Sequence, residues 1–401
     1  MKHDWATLPG EEEAFSDVMQ EVRDDSALGT GKVYEAAPES DIPQLISQLE
    51  PGDTLYLKAG TYPAALELTG LQGTEGGYIT VMAEPGAEAV LDGSGLTKPS
   101  DDPALPEGPV MITLDHCSYV CLSGLSIENA NGQGACGILV SAGCDHLIID
   151  RCHMENITVP EPAETDHCAN GIILFGDSAD EIIQHVFIYG NTIENCATGW
   201  SECISVTGHV SNVTVENNTI DNTGNIGIDF AGSYGYCPDP AKDFPTNCRA
   251  VGNTVKNCRS PYATSYGLYV DGAQGIDFSN NVVRACSGGI EIGAEQPQQS
   301  EAYATKRIRV AGNTVTDCAK HGITIGGYET DLGWVEDVEV TGNNCRNNGL
   351  EDDGSILTLS KCKDILIENN IFTNDSGSAE TVRSEMGSRW TKRITFRGNT
   401  Y

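Results

Sequence analysis

The chain has 401 residues, 39% hydrophobic and only 6% aromatic, with 45 glycines. That supplies one large core or two ordinary ones, poor in rings and broken by many turns. Against 23 Lys and Arg stand 58 Asp and Glu, a formal net charge of −35, which argues against the clustered cations of nucleic-acid binding and disfavours a polyanionic substrate.

The opening "MKHDWATLPGEEEAF" has no apolar core of a leader, and no stretch approaches a membrane span. Residues 1–40 are acidic and poorly patterned and read as an arm; residues 41–401 read as one domain. That domain begins with "DIPQLISQLEPGDTLYLKAGTY" (41–62), an Asp cap, a short amphipathic helix, a Pro-Gly turn and an alternating strand. The helix is expected to cap the open N-terminal end of the domain's core.

Most of the remaining chain is a repeat. "FIYGNTIENC" (187–196), "TVENNTIDNT" (214–223), "RAVGNTVKNC" (249–258), "DFSNNVVRAC" (277–286) and "RVAGNTVTDC" (309–318) align without gaps, and three further copies run to the last residue. Their shared Asn falls at 191, 218, 253, 281, 313, 343, 370 and 399, at spacings of 27, 35, 28, 32, 30, 27 and 29. A period near thirty with alternating apolar residues predicts one coil of a β-solenoid per repeat, each coil pairing in parallel with the next. The Asn residues are expected to form a ladder along one turn. Cys196, Cys258, Cys286 and Cys318 share a repeat position and should stack inside. The 15 cysteines contain no paired CxxC pattern for zinc, no metal site is read from them, and buried thiols point to a reducing, cytoplasmic setting.

After each Asn turn comes a strand of the form Gly-apolar-x-apolar: "GIDF" (227–230), "GLYV" (267–270), "GIEI" (289–292) and "GITI" (322–325). Period-two alternation puts Asp229, Tyr269, Glu291 and Thr324 outward on neighbouring rungs, with Asp271 on the same face. Rungs about 4.8 Å apart and about 6.6 Å per two residues place Asp271 and Glu291 roughly 8 Å apart at Cα. Gathered carboxylates repel, which raises at least one pKa and equips a general acid beside an ionised partner. Asp229, Asp271 and Glu291 are therefore the candidate catalytic residues, with Glu295 close by. The longest loops leave or enter these strands and carry Tyr234, Tyr236, Tyr266 and Tyr303. With Tyr269, such rings suit stacking against sugars. His321 stands at the start of a neighbouring strand as a further binding candidate.

"PGDTLYLKAGTYPAALEL…GGYITVMAEPGAEAVLDGSG" (51–95), succeeded by "GNTV/NNTI" coils, resembles the right-handed parallel β-helix proteins of the pectate-lyase-like superfamily. The resemblance covers about residues 40–401 and implies an all-β, right-handed parallel β-helix. "GLYVDG" and, one coil later, "GGIEIGAE" are similar to the Asp-then-Glu arrangement of β-helical glycoside hydrolases of families 120 and 141. That implies Asp271 as nucleophile or base and Glu291 as acid/base, with an oligo- or polysaccharide substrate and no cofactor. The rival reading is a polysaccharide lyase, which needs a Lys or Arg base and often Ca²⁺ held by clustered acids. Lys242, Arg284 and Lys306 are its nearest cations, and none lies on the outward positions of the four strands. A third reading is a non-catalytic glycan-binding or adhesion solenoid.

Overall fold

In a computed structural model, the described residues are 31–97, 107–141, 143–159, 167–263, 265–296, 303, 305–327, 333–351, 354–375, 380–385 and 389–401. Among them the strands form three parallel sheets of 13, 11 and 11 strands. Each coil gives one strand to each sheet in turn, as in Val210–Glu216, Thr219–Asp221 and Ile226–Ala231. Strands one coil apart pair in register: Thr192, Thr219, Thr254 and Val282 succeed one another across the narrow second sheet. No coil closes a core alone, so the apolar interior runs the length of the stack. Ile228, Leu268, Ile290 and Ile323 line it from the third sheet, all fully buried. Phe230 and Phe278 meet inside with ring centroids 5.9 Å apart.

The predicted Asn ladder is present. Each side-chain amide donates to the next Asn carbonyl oxygen at 2.9–3.0 Å, from Asn191 through Asn218, Asn253, Asn281, Asn313, Asn343 and Asn370 to Asn399. Each of those acceptor oxygens also takes the backbone N–H of the Asn before it, as Asn281 does from Asn253 at 2.9 Å. The amide's second N–H reaches a main-chain carbonyl of the preceding coil, Ala250 in the case of Asn281. The corner between first and second sheets is thus buried and fully hydrogen-bonded, which makes it tolerable in a dry interior. Just beyond the second sheet Cys258, Cys286 and Cys318 follow one another on successive coils as buried free thiols, while Thr223 takes the position between Cys196 and Cys258 and meets the Cys258 sulfur at 3.3 Å.

The N-terminal end differs from expectation in one respect. Val33–Ala36, inside the segment read as an arm, is already the first strand of the first sheet and pairs with Thr54–Leu57. Residues 1–30 lie outside the described residues. The helix is a short one, Ile42–Ile46, with the Asp41 carboxylate accepting the Gln44 N–H at 3.1 Å and Ile42 and Ile46 buried.

Candidate active site

The third sheet carries the outward row foreseen from the alternation. Ser205, Asp229, Tyr269, Glu291, Thr324 and Thr358 are register partners on successive rungs, and Asp271 pairs with Gly293. Outward does not mean exposed here. Loops fold over the row, leaving Asp229 3%, Asp271 1% and Glu291 0% accessible.

Part of the covered row opens into a hollow of about 300 Å³, whose polar lining includes Ser201, Glu202, Ser205, Asp229 and Glu295. Its aromatic walls are Phe175, Trp200, Tyr234, Tyr236 and Tyr269. No Lys, Arg or His is among its described lining residues. The loop after Ala231 forms one wall, and buried Asp243 folds it. That carboxylate accepts the N–H groups of Gly235 and Cys237 at 2.5 and 2.9 Å, while Ser233 N–H donates to the Asp243 carbonyl. The loop so held stacks Tyr234 on Tyr236, centroids 5.9 Å apart, and leans Tyr236 on Phe175 at 5.0 Å. On the opposite side Trp200 stacks on Tyr262 at 5.6 Å.

Glu295 enters from the loop after Glu291's strand. One of its oxygens accepts the Tyr269 hydroxyl at 2.9 Å, and the other lies 3.3 Å from the Tyr234 oxygen, whose proton goes to Asp271. Tyr269 reaches it by lying across Gly293, where a Cβ would stand 2.7 Å from the phenol oxygen. A side chain at 293 would therefore displace the ring. Asp271 sits behind this pair, accepting the Tyr234 hydroxyl at 2.5 Å and the Glu295 N–H at 2.7 Å.

The electrostatics result from burial without cations. Burial pushes Glu202 up to about 7, helped by repulsion from Glu295, although the Ser201 hydroxyl donates to it at 3.1 Å. Burial also lifts Asp229 well above the usual carboxylate range, reinforced by Glu202, Asp271, Glu295 and Glu291. Its Oδ1 is buried in the hollow's floor without a hydrogen-bond partner. Asp271 is pushed up to about 7 by burial and by Glu295, against the two hydrogen bonds that favour its charge. The Tyr234 phenol is raised as well, by burial and the neighbouring Asp271 and Glu295.

Of the residues singled out from sequence, Asp229, Glu295, Tyr269, Tyr234 and Tyr236 line the hollow. Asp271 and Glu291 do not: one lies behind Tyr234 and Glu295, the other is covered in the row between Tyr269 and Thr324. Tyr266 is buried, its hydroxyl 3.0 Å from that of Thr324. Tyr303 packs on Phe244, and His321 holds Ser355 at 3.0 Å, its imidazole pushed down to about 4 by burial and by Arg383 and Lys320. The cations considered for a lyase also turn elsewhere. Lys242 donates to the Ala179 carbonyl, Arg284 pairs with Asp317, and Lys306 stands on the first sheet beside Gln274. Sequence reading missed Glu202, Trp200 and Phe175. The signal for Glu202 was there: it occupies the position before Cys203 that Ile226 fills before Gly227 and Tyr266 before Gly267. The strand "ECISV" lacks the glycine and so escaped the pattern.

A family model described as "Right handed beta helix region" matches residues 110–298, and one described as "Periplasmic copper-binding protein (NosD)" matches 241–401. With three parallel sheets wound coil by coil, that decides the architecture. The chain is a right-handed parallel β-helix protein. The β-helix is 27% identical over 334 residues to the uncharacterized protein YwoF of Bacillus subtilis (strain 168), covering 80% of this chain and 68% of that one. Among solved structures it is similar to a family 28 exopolygalacturonase of Yersinia enterocolitica, at TM-score 0.58 and 14% identity over 92% of this chain and 79% of that one. It is also similar to a PL6 family polysaccharide lyase of Pseudopedobacter saltans, at TM-score 0.56 and 10% identity over 92% of each chain. At such identities the likeness is one of fold, and the chemistry has to be read from the site.

Proposed function

We propose that this β-helix is a carbohydrate-active enzyme that hydrolyses a glycosidic bond in the hollow, with Glu202 and Asp229 on adjacent rungs and Glu295 opposite them. The observation that carries the reading is a set of three carboxyl side chains meeting in an aromatic-walled hollow whose described lining holds no cation. Glycoside hydrolysis needs one carboxylic acid that keeps its proton and one carboxylate that attacks or activates water. Glu202, pushed up to about 7 and fixed by Ser201, suits the acid that protonates the leaving oxygen. Glu295, with one oxygen held by the Tyr269 phenol and the other left free to react, suits the partner that attacks the anomeric carbon or takes a proton from water. Asp229 on the floor suits the role of a third carboxyl, whose repulsion with Glu202 and Glu295 keeps a proton among the three. Asp271 is assigned to positioning, because it orients Tyr234 and the Glu295 main chain. Asp271 and Glu291 as the catalytic pair is the weaker assignment, since neither reaches the hollow.

The same lining weighs against elimination on a uronate. That reaction must neutralise a substrate carboxylate and supply a base such as Lys or Arg. Nor do the hollow's carboxylates supply the missing charge through a preformed calcium site. Among the described residues the trios with ligand atoms within 4.8 Å of one another lie elsewhere. A neutral glycoside fits a floor of carboxyls better than a polyanion does. The test is a screen of neutral and uronate-containing glycans with and without EDTA. Reducing sugar released without an ultraviolet-absorbing unsaturated product, and unaffected by chelator, is the expected result. An unsaturated uronide would establish the lyase instead, and tight binding without turnover would establish an adhesion solenoid.

A further inference from the structure

On the first sheet, remote from the hollow, Asp145 and His146 of the strand Asp145–Asp150 face His185 of the next coil's strand Ile183–Tyr189. Asp145 Oδ1 lies 2.8 Å from His146 Nδ1 and 2.7 Å from His185 Nδ1, so both imidazoles turn the same nitrogen toward one carboxylate oxygen. The two imidazoles lie with centroids 4.4 Å apart at a tilt of 33°, and Tyr119 of the preceding coil lies flat on His146 at 4.5 Å, closing one side. All three groups are only partly accessible, and their ligand-type atoms lie within 4.8 Å of one another.

We propose that Asp145, His146 and His185 form a binding site for one divalent transition-metal ion of the zinc class, clipping two successive coils together. Two imidazoles and a carboxylate are the donor set that such ions prefer, whereas calcium and magnesium select oxygen ligands. Around an ion about 2.0–2.1 Å from each donor, tetrahedral geometry sets donors roughly 3.3 Å apart. The present spacings of 2.7 and 2.8 Å reach that value by opening about half an ångström, within the rotation of two ring torsions. Without an ion, Asp145 Oδ1 is hydrogen-bonded to His185 Nδ1 and lies 2.8 Å from His146 Nδ1, so an ion would take over contacts that already gather the three donors.

The backbone supplies clean variants. His146 and His185 adopt left-handed φ values of 52° and 51°, and the next two rungs carry Asn212 and Asn247 at this position with φ of 54° and 55°. His146→Asn and His185→Asn therefore keep a residue this bend already accepts. The experiment titrates the full chain, stripped with EDTA and desalted, with ZnCl₂ by calorimetry, alongside thermal melts. One ion per chain at micromolar affinity or better is expected, with a raised melting temperature. Either Asn variant should melt like the parent without zinc and bind it on the order of 100-fold more weakly. His153→Ala tests the nearby trio of His153, Glu155 and Glu194 and should leave binding unchanged. No zinc uptake by the parent, or uptake that survives in both Asn variants, would overturn the assignment.

Discussion

Two buried polar columns run along the same solenoid, and they differ in how completely they are satisfied. In the Asn ladder each amide from Asn191 to Asn370 finds partners above and below, so the column is neutral and hydrogen-bonded. In the row of the third sheet, Asp229, Glu291 and the neighbouring Asp271 are as deeply covered, yet Asp229 keeps an unmatched oxygen and both aspartates are held above the usual carboxylate range. The same coil-to-coil register builds both, although Tyr269 stands between Asp229 and Glu291 on the row. What separates them is the side chain: an amide both donates and accepts along a column, whereas an ionised carboxylate can only accept. Repeated amides stabilise the coil. Gathered carboxyls repel one another and hold protons to higher pH, the property that the proposed hydrolysis would use.

Removing the proposed acid should give the largest effect. Glu202→Gln is expected to lower kcat by about 10²–10⁴-fold on the cleaved glycan while the melting temperature holds or rises. In the parent protein, the proposed activity should fall as pH rises through about 7, where Glu202 loses its proton. A pH–rate profile of both proteins checks this. Breaking the other column should cost folding instead. Asn281→Ala strands donors on Asn253 and the Ala250 carbonyl, so denaturant melts should show a loss of roughly 2–4 kcal/mol.

Stability should also respond to pH in a direction peculiar to the hollow. Glu202 has a folded pKa near 7 against an ordinary 4.5. The folded state therefore binds a proton that the unfolded chain has released across that window, and stability declines as pH rises from about 4.5 to about 7. Urea midpoints across this range should show a shallower decline in Glu202→Gln. Asp229→Asn relieves the buried repulsion on the row and should gain on the order of 1 kcal/mol near neutral pH while impairing turnover. Smallest of all, Tyr236→Ala removes a half-exposed wall ring and should raise KM about tenfold or less.

The period of the Asn residues, the Gly-apolar-x-apolar strands and the recurring cysteines were legible because a solenoid repeats its interior contacts at each coil. From that alone the chain determined its parallel β-helix, the Asn column and the outward register of Asp229, Tyr269 and Glu291. Tertiary structure decided which of the outward carboxyls meet open space. The Asp243-folded loop carries Tyr234 over Asp271, and Tyr269 crosses Gly293 to hold Glu295. Glu202 comes in from the preceding coil on a strand that had lost the marker glycine. Register is a short-range property written in alternation, whereas a hollow depends on where irregular loops fold back, and that no period encodes.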